Sequence, residues 1–108
     1  MENTALPATT IRQYKFNKDG AEELLKTNKG IDWPVVYILD GKDGQKSVAY
    51  VGETSSAYNR MLQHLDNPVR KPMINEYVLF NDIFNKSAIL DIENMLIEHM
   101  HADGKFEL

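Results

Sequence analysis

The alternation of apolar and polar residues along the chain predicts three main strands. The β-branched and aromatic run 35–39 is typical of a buried strand. The turn sequence 40–44 separates it from a similar segment at 47–51, so the two segments are predicted to pair as an antiparallel hairpin. Residues 73–80 predict the third strand. Residues 11–17 alternate only weakly and are compatible with a short edge strand.

Helices are predicted between and after these strands from the helical spacing of apolar residues and from capping residues. A short helix is predicted over residues 21–27. A second follows the N-cap candidates at 54–56 and runs to about Asp66. The last begins near Ser87, its predicted N-cap, and ends near His101. This order predicts an α+β fold in which helices flank a small, three-stranded, mostly antiparallel sheet.

Length and composition are those of one compact domain. The chain has 108 residues, and 43% of them are apolar. Residues 1–10 show no periodicity and are predicted to be a flexible lead-in to a single domain over residues 11–108. The N-terminus has no secretory pattern, and no apolar run approaches the roughly 20 residues of a membrane span. Without cysteine, disulfides and thiolate metal sites are excluded. We therefore expect a cytoplasmic protein with no membrane contact.

The overall charge opposes broad, non-specific binding to nucleic acid. The formal net charge is −4, and the sequence pI is about 5.3. Non-specific affinity for nucleic acid comes mainly from lysine and arginine side chains that neutralise phosphates. A small basic cleft on an acidic body is still compatible with this charge.

Glu93 lies inside the apolar face of the last predicted helix. A carboxylate among apolar side chains costs desolvation energy unless it is paired or binds a metal. Two interpretations are equally supported by this helix alone: a structural pair with a buried arginine, lysine or tyrosine, or a metal ligand. At about 100° per residue, the apolar arc around Glu93 consists of Ile89, Leu90, Ile92, Leu96, Ile97 and Met100.

The middle helix and the hairpin carry further polar groups. Arg60 and His64 lie one helical turn apart, and taken alone they are typical of a solvated basic face. Tyr37 and Tyr50 are each typical of half-buried strand residues, and Gly52 is typical of a strand end. The core stripe predicted for the middle helix consists of Tyr58, Met61, Leu62 and Leu65.

In their order and spacing, these residues resemble the GIY-YIG nuclease module. Residues 35–37 (VVY) stand at the first motif of that family, and residues 50–52 (YVG) stand at the second. Arg60 follows the second motif at the family spacing, and His64 lies one turn later. Glu93 lies at the position of the family's metal-binding glutamate. Each motif is degenerate alone, but the joint match is more specific.

One branch of that family is particularly similar. Segments 50–54, 84–88 and 102–106 resemble a branch that forms the N-terminal domain of longer bacterial proteins with a helicase-like P-loop ATPase domain. The chain has no Walker A motif of its own. The resemblance therefore implies a domain truncated from a longer protein, with a C-terminal ATPase or helicase-like domain as its partner. DNA repair or restriction is the implied setting.

The resemblance implies a metal-dependent endonuclease that hydrolyses DNA phosphodiester bonds. It assigns a single divalent cation, Mg²⁺ or Mn²⁺, to Glu93. Tyr37 would be the general base, with its pKa lowered by nearby positive charge or its proton relayed through water. Arg60 would stabilise the phosphate, and Tyr50 and His64 would orient water or phosphate. The predicted substrate-binding residues are Gly52, Glu53 and Thr54.

Two other hypotheses stay open. Val35 replaces the first glycine of the family, Glu53 adds negative charge near the predicted phosphate site, and no asparagine clearly follows the last helix. These departures favour a catalytically weak or inactive nucleic-acid-binding module that serves an ATPase or helicase domain. A protein-interaction domain without a nucleic-acid role would bind no metal, and its tyrosine, arginine and glutamate side chains would not converge. The nuclease hypothesis instead predicts that Tyr37, Arg60 and Glu93 face one cavity.

Overall fold

The computed structural model describes residues 9–107. The lead-in predicted for residues 1–10 therefore lies mostly outside the described residues, and Thr10 already begins the first strand. A short 3₁₀ turn, Pro68–Arg70, follows the second helix. In chain order, the strands and helices are β1 (Thr10–Lys15), α1 (Lys18–Lys26), β2 (Val35–Asp43), β3 (Lys46–Thr54), α2 (Ala57–Leu65), β4 (Met73–Phe80) and α3 (Lys86–Asp103).

The strands form one antiparallel sheet in the order β1-β4-β2-β3. The α+β class is confirmed, but the sheet has four strands and not the predicted three. The additional strand is β1, which pairs with β4 from Thr10 opposite Phe80 to Lys15 opposite Asn75. Its sequence signal is weak because it is an outer strand in which Tyr14 alone is buried.

The hairpin of β2 and β3 is longer than the apolar pattern predicted. Pairing continues to Asp43 opposite Lys46, so the turn contains two residues, Gly44 and Gln45. Gly44 has a φ of 68°, the left-handed conformation that two-residue hairpin turns favour. The predicted turn at 40–44 was too early because polar residues can extend a ladder beyond its buried part. Strand β3 lies at the edge of the sheet.

Helices cover both faces of the sheet. On one face, α1 and α2 pack on a core that includes Leu24, Tyr37 and Met61. On the other face, α3 packs through Ile89 on Val36 and its neighbours. Because side chains alternate along a strand, neighbouring residues of β2 and β3 serve different faces. No helix among residues 9–107 is long and apolar enough to cross a membrane.

Asparagine side chains start two of the helices. Asn17 accepts a hydrogen bond from the backbone N–H of Gly20, so α1 begins three residues before the predicted start. Asn85 accepts from the backbone N–H of Ala88 and caps α3, so the prediction that Ser87 is the N-cap was wrong. Asparagine is among the strongest N-cap residues, and Asn85 lies two residues before the predicted cap of α3.

Candidate active site

Tyr37 is at the centre of the candidate site. It lies on β2, its side chain is 1% exposed, and its ring crosses over Gly52 of β3. A Cβ atom at Gly52 would lie 2.5 Å from both the Cζ atom and the hydroxyl oxygen of Tyr37. Glycine is therefore required at this position for steric reasons. Its lack of a side chain lets the phenol extend across β3, toward the edge of the sheet.

His64 contacts the hydroxyl group of Tyr37. The distance from its Nε2 atom to the Tyr37 oxygen is 2.7 Å, and both side chains are buried. The buried stripe of α2 contains Ala57, Met61 and His64, whereas Leu62 is 38% exposed. The predicted stripe was therefore wrong at Leu62, and the prediction of a solvated face does not hold for His64. Positions i, i+4 and i+7 of this helix point to the sheet.

Arg60 and Tyr50 complete this group. The Arg60 guanidinium hydrogen-bonds the Tyr37 side chain, and its charge lowers the pKa of that phenol. The ring centre of Tyr50 lies 6.1 Å from that of Tyr37 and 5.2 Å from that of His64. We call these four residues the tyrosine–histidine cluster. The structure thus brings together all four residues predicted to be catalytic.

Burial dominates the electrostatics of this cluster. It raises the pKa of Tyr37, and Tyr50 and Glu76 raise it further, despite the opposing effect of Arg60. The structure therefore contradicts the expectation of a lowered Tyr37 pKa. Burial also lowers the pKa of His64 to about 4, helped by the positive charges of Arg70 and Arg60. At neutral pH, the cluster consequently holds a protonated phenol and an uncharged imidazole.

Two residues beside this cluster were not predicted. Arg70 lies over the ring of Tyr50, with its Cζ atom 3.9 Å from the ring centre, and donates its Nε–H to Nδ1 of His64 at 3.4 Å. Glu76 is buried on β4, and burial raises its pKa to about 8. Within the described residues, its Oε1 atom has no hydrogen-bond partner.

Glu93 lies in a second group, together with Glu53 and Lys86. Lys86 Nζ is 2.7 Å from Oε1 of Glu53. Burial raises the pKa of Glu93, the charge of Glu53 raises it further, and Lys86 lowers it. Glu53 pairs with Val36, whose side chain faces α3, so these three residues lie on the α3 face of the sheet. We call them the carboxylate cluster.

The two clusters lie on opposite faces of the sheet, so the described contacts do not bring Glu93 together with Tyr37 and Arg60, and the prediction that these three residues face one cavity was wrong. They meet at the edge strand, where Gly52 belongs to the tyrosine–histidine face and Glu53 to the other. Thr54 is buried, and its hydroxyl is hydrogen-bonded to the backbone of Ser56 at the start of α2. That hydroxyl therefore supports the turn into the helix.

Glu93 and Glu53 are the carboxylates of the carboxylate cluster that would hold a divalent cation, with water and phosphate as its remaining ligands. Among residues 9–107, no three histidine, aspartate or glutamate side chains form a group that could hold a metal ion. Mg²⁺ commonly needs only one or two carboxylates, with water and substrate phosphate as its other ligands. The charge of Glu53 raises the pKa of Glu93, and a cation between the two carboxylates would offset that effect.

Comparisons with known proteins give no relative from which to transfer a function. No protein-family model, curated protein or solved structure matches the chain.

Proposed function

We propose that the chain is a metal-dependent endonuclease domain of the GIY-YIG type, which hydrolyses phosphodiester bonds of DNA. The observation that carries this proposal is the contact of the Tyr37 hydroxyl with His64 Nε2 at 2.7 Å, beside the Arg60 guanidinium. A phenol, an imidazole and a guanidinium converge there, next to an edge strand whose other face carries two carboxylates. Such a combination suits phosphoryl chemistry.

Arg60 binds the scissile phosphate in this proposal. Its side chain is partly exposed, so a phosphate can reach it from solvent. A guanidinium can donate two parallel hydrogen bonds to phosphate oxygens and stabilise the charge that builds up during attack. Because the Arg60 guanidinium also contacts Tyr37, it holds the bound phosphate close to the phenol.

Tyr37 first passes its own hydroxyl proton through water to bulk solvent, and the resulting phenolate takes the proton of the attacking water. Its raised pKa means that the phenolate is rare in the free chain, so the general base must be generated at the moment of reaction. Arg60 supplies positive charge for that purpose, whereas His64 is uncharged at neutral pH and adds none. Tyr50 packs against both rings and restricts their orientation.

Glu93 would hold the cation, Mg²⁺ or Mn²⁺, with Glu53 beside it. When bound, such a cation supplies positive charge to the leaving oxygen. Because Gly52 and Glu53 are consecutive residues of an edge strand, one phosphodiester lying along that edge can contact both clusters. A C-terminal ATPase or helicase-like domain in a longer protein would direct the substrate.

A binding module without cleavage is the second candidate. The observation that favours it is the ion pair between Lys86 and Glu53, which places an ammonium group next to Glu93. That ammonium competes with a metal ion for the carboxylates. The net charge of −4 also weakens attraction to DNA. In this case the fold would dock DNA for a partner ATPase.

The two candidates are separated by cleavage assays on branched, nicked and duplex DNA with Mg²⁺, Mn²⁺ or a chelator. We expect metal-dependent cleavage that falls by at least about 100-fold in Tyr37→Phe, because general-base catalysis is lost. Tyr77→Phe, a half-buried tyrosine of β4, is the matched control and should retain activity. DNA binding without cleavage would favour the binding module, and absence of both would contradict a nucleic-acid role.

A further inference from the structure

Arg70 connects two members of the tyrosine–histidine cluster. It contacts the face of Tyr50 through its guanidinium and Nδ1 of His64 through its Nε–H. The 3₁₀ turn fixes its position, because the backbone N–H of Arg70 donates to the carbonyl of Asn67 at 2.9 Å. The Asn67 side chain in turn accepts from the backbone N–H of Val69. Arg70 is therefore held by backbone contacts and by an aromatic ring.

The contact with Arg70 determines where the proton of His64 lies. A guanidinium offers only donors, and a neutral imidazole carries one N–H and one bare nitrogen. Because Arg70 donates to Nδ1, that nitrogen must be bare, and the hydrogen of the neutral ring lies on Nε2. His64 is then the donor in its 2.7 Å contact with the Tyr37 oxygen.

This arrangement gives the Tyr37 oxygen two donors, His64 Nε2–H and the Arg60 guanidinium. Hydrogen bonds donated to an oxygen favour its ionised form. The phenol's own hydrogen is left to point away from both donors. With the opposite tautomer, Nε2 would be bare, and His64 would accept a hydrogen bond from the Tyr37 hydroxyl.

We propose that Arg70 is a positioning residue that fixes the Nε2–H tautomer of His64, so that Tyr37 is the base and His64 a hydrogen-bond donor. The role of Tyr37 as a base rests on the function proposed above, whereas the tautomer does not. The charged and titratable groups that face His64 are Tyr37 on β2, Tyr50 on β3, Arg60 on its own helix and Arg70 on the 3₁₀ turn.

The test is long-range ¹H–¹⁵N correlation spectroscopy of the histidine rings in the ¹⁵N-labelled chain at pH 7. His64 should show a bare Nδ1 and a protonated Nε2. The exposed His99 and His101 serve as internal references. In Arg70→Met, His64 should shift toward the Nδ1–H form, and Arg70→Lys should restore the original signals because it keeps a donor. Lys71→Met removes a neighbouring charge and should leave them unchanged.

A His64 ring with its proton on Nδ1 in the unsubstituted chain would overturn the proposal, and so would an unaltered tautomer in Arg70→Met. These readouts need neither DNA nor metal, so they stand even if the chain proves not to cleave DNA. If it does cleave, kcat should fall at least about tenfold in Arg70→Met, since a wrong tautomer misplaces the donor. Arg70→Lys should recover most of this loss.

Discussion

The tyrosine–histidine cluster and the carboxylate cluster show two ways in which one small sheet holds polar groups. Tyr37 is 1% exposed and His64 is 8% exposed, whereas the Lys86 side chain is 68% exposed. In the first cluster, burial is the largest influence on both pKa values, and ring packing fixes the geometry. In the second, burial is also the largest influence on the pKa of Glu93, but the ammonium group of Lys86 is exposed and its charge is screened by solvent. The first cluster is therefore closed to solvent, whereas the second is partly open.

On the sheet face that carries the tyrosine–histidine cluster, the burial of Glu76 should have the largest effect on the free energy of unfolding. Its pKa rises from the ordinary value of 4.5 to about 8 in the folded chain. Between these pH values the folded chain binds more protons than the unfolded chain, so the free energy of unfolding falls as pH rises. Glu76→Gln should remove this dependence and stabilise the fold at pH 9 by roughly 2–4 kcal/mol.

Chemical denaturation at pH 4, 7 and 9 measures this effect. Glu98→Gln changes an exposed carboxylate of α3 and is the matched control, for which we expect the pH dependence of the parent chain. If Glu76→Gln unfolds with the same pH dependence as the parent, burial is not the dominant influence on this side of the sheet.

On the α3 face of the sheet, replacement of Lys86 should have a smaller effect, which is on the affinity for Mg²⁺. Removing it in Lys86→Met frees Glu53 and takes positive charge away from Glu93. Exposed ion pairs contribute about 0.2–1 kcal/mol, so Mg²⁺ should bind about 1.4- to 5-fold more tightly. Isothermal titration calorimetry with Mg²⁺ checks this, with the exposed Lys105→Met as control. Weaker binding in Lys86→Met would mean that the ammonium supports the site and does not compete with the cation.

Periodicity was sufficient to predict the hairpin, β4 and the approximate extent of the helices. Tyr37, Tyr50, Arg60 and His64 were selected by the resemblance to the GIY-YIG family, because the pattern alone favoured half-buried strand tyrosines and a solvated basic face. Periodicity did not establish β1, whose residues pair with partners 60 to 70 residues away in the sequence. Local patterns carry little information about such contacts.

The two polar residues beside the site that were not predicted, Glu76 and Arg70, differ in whether the sequence contained a signal for them. Glu76 alternates with Val78 and Phe80 on the buried face of β4, so a period of two could have indicated its burial. The same alternation places Gly52 and Glu53 on opposite faces of β3. Arg70 offered no such signal, because its contacts with Tyr50 and His64 depend on how the 3₁₀ turn packs on the sheet.

In the proposed mechanism, the two clusters on opposite faces of β3 serve one reaction. Its most direct test is a double-mutant cycle on the rate of metal-dependent DNA cleavage with Arg60→Lys, Glu93→Gln and the double variant. Residues that act as a unit are strongly non-additive, so the double variant should be no slower than the slower single variant by more than about threefold. Full additivity of the two losses, or an unchanged rate in either single variant, would contradict the account.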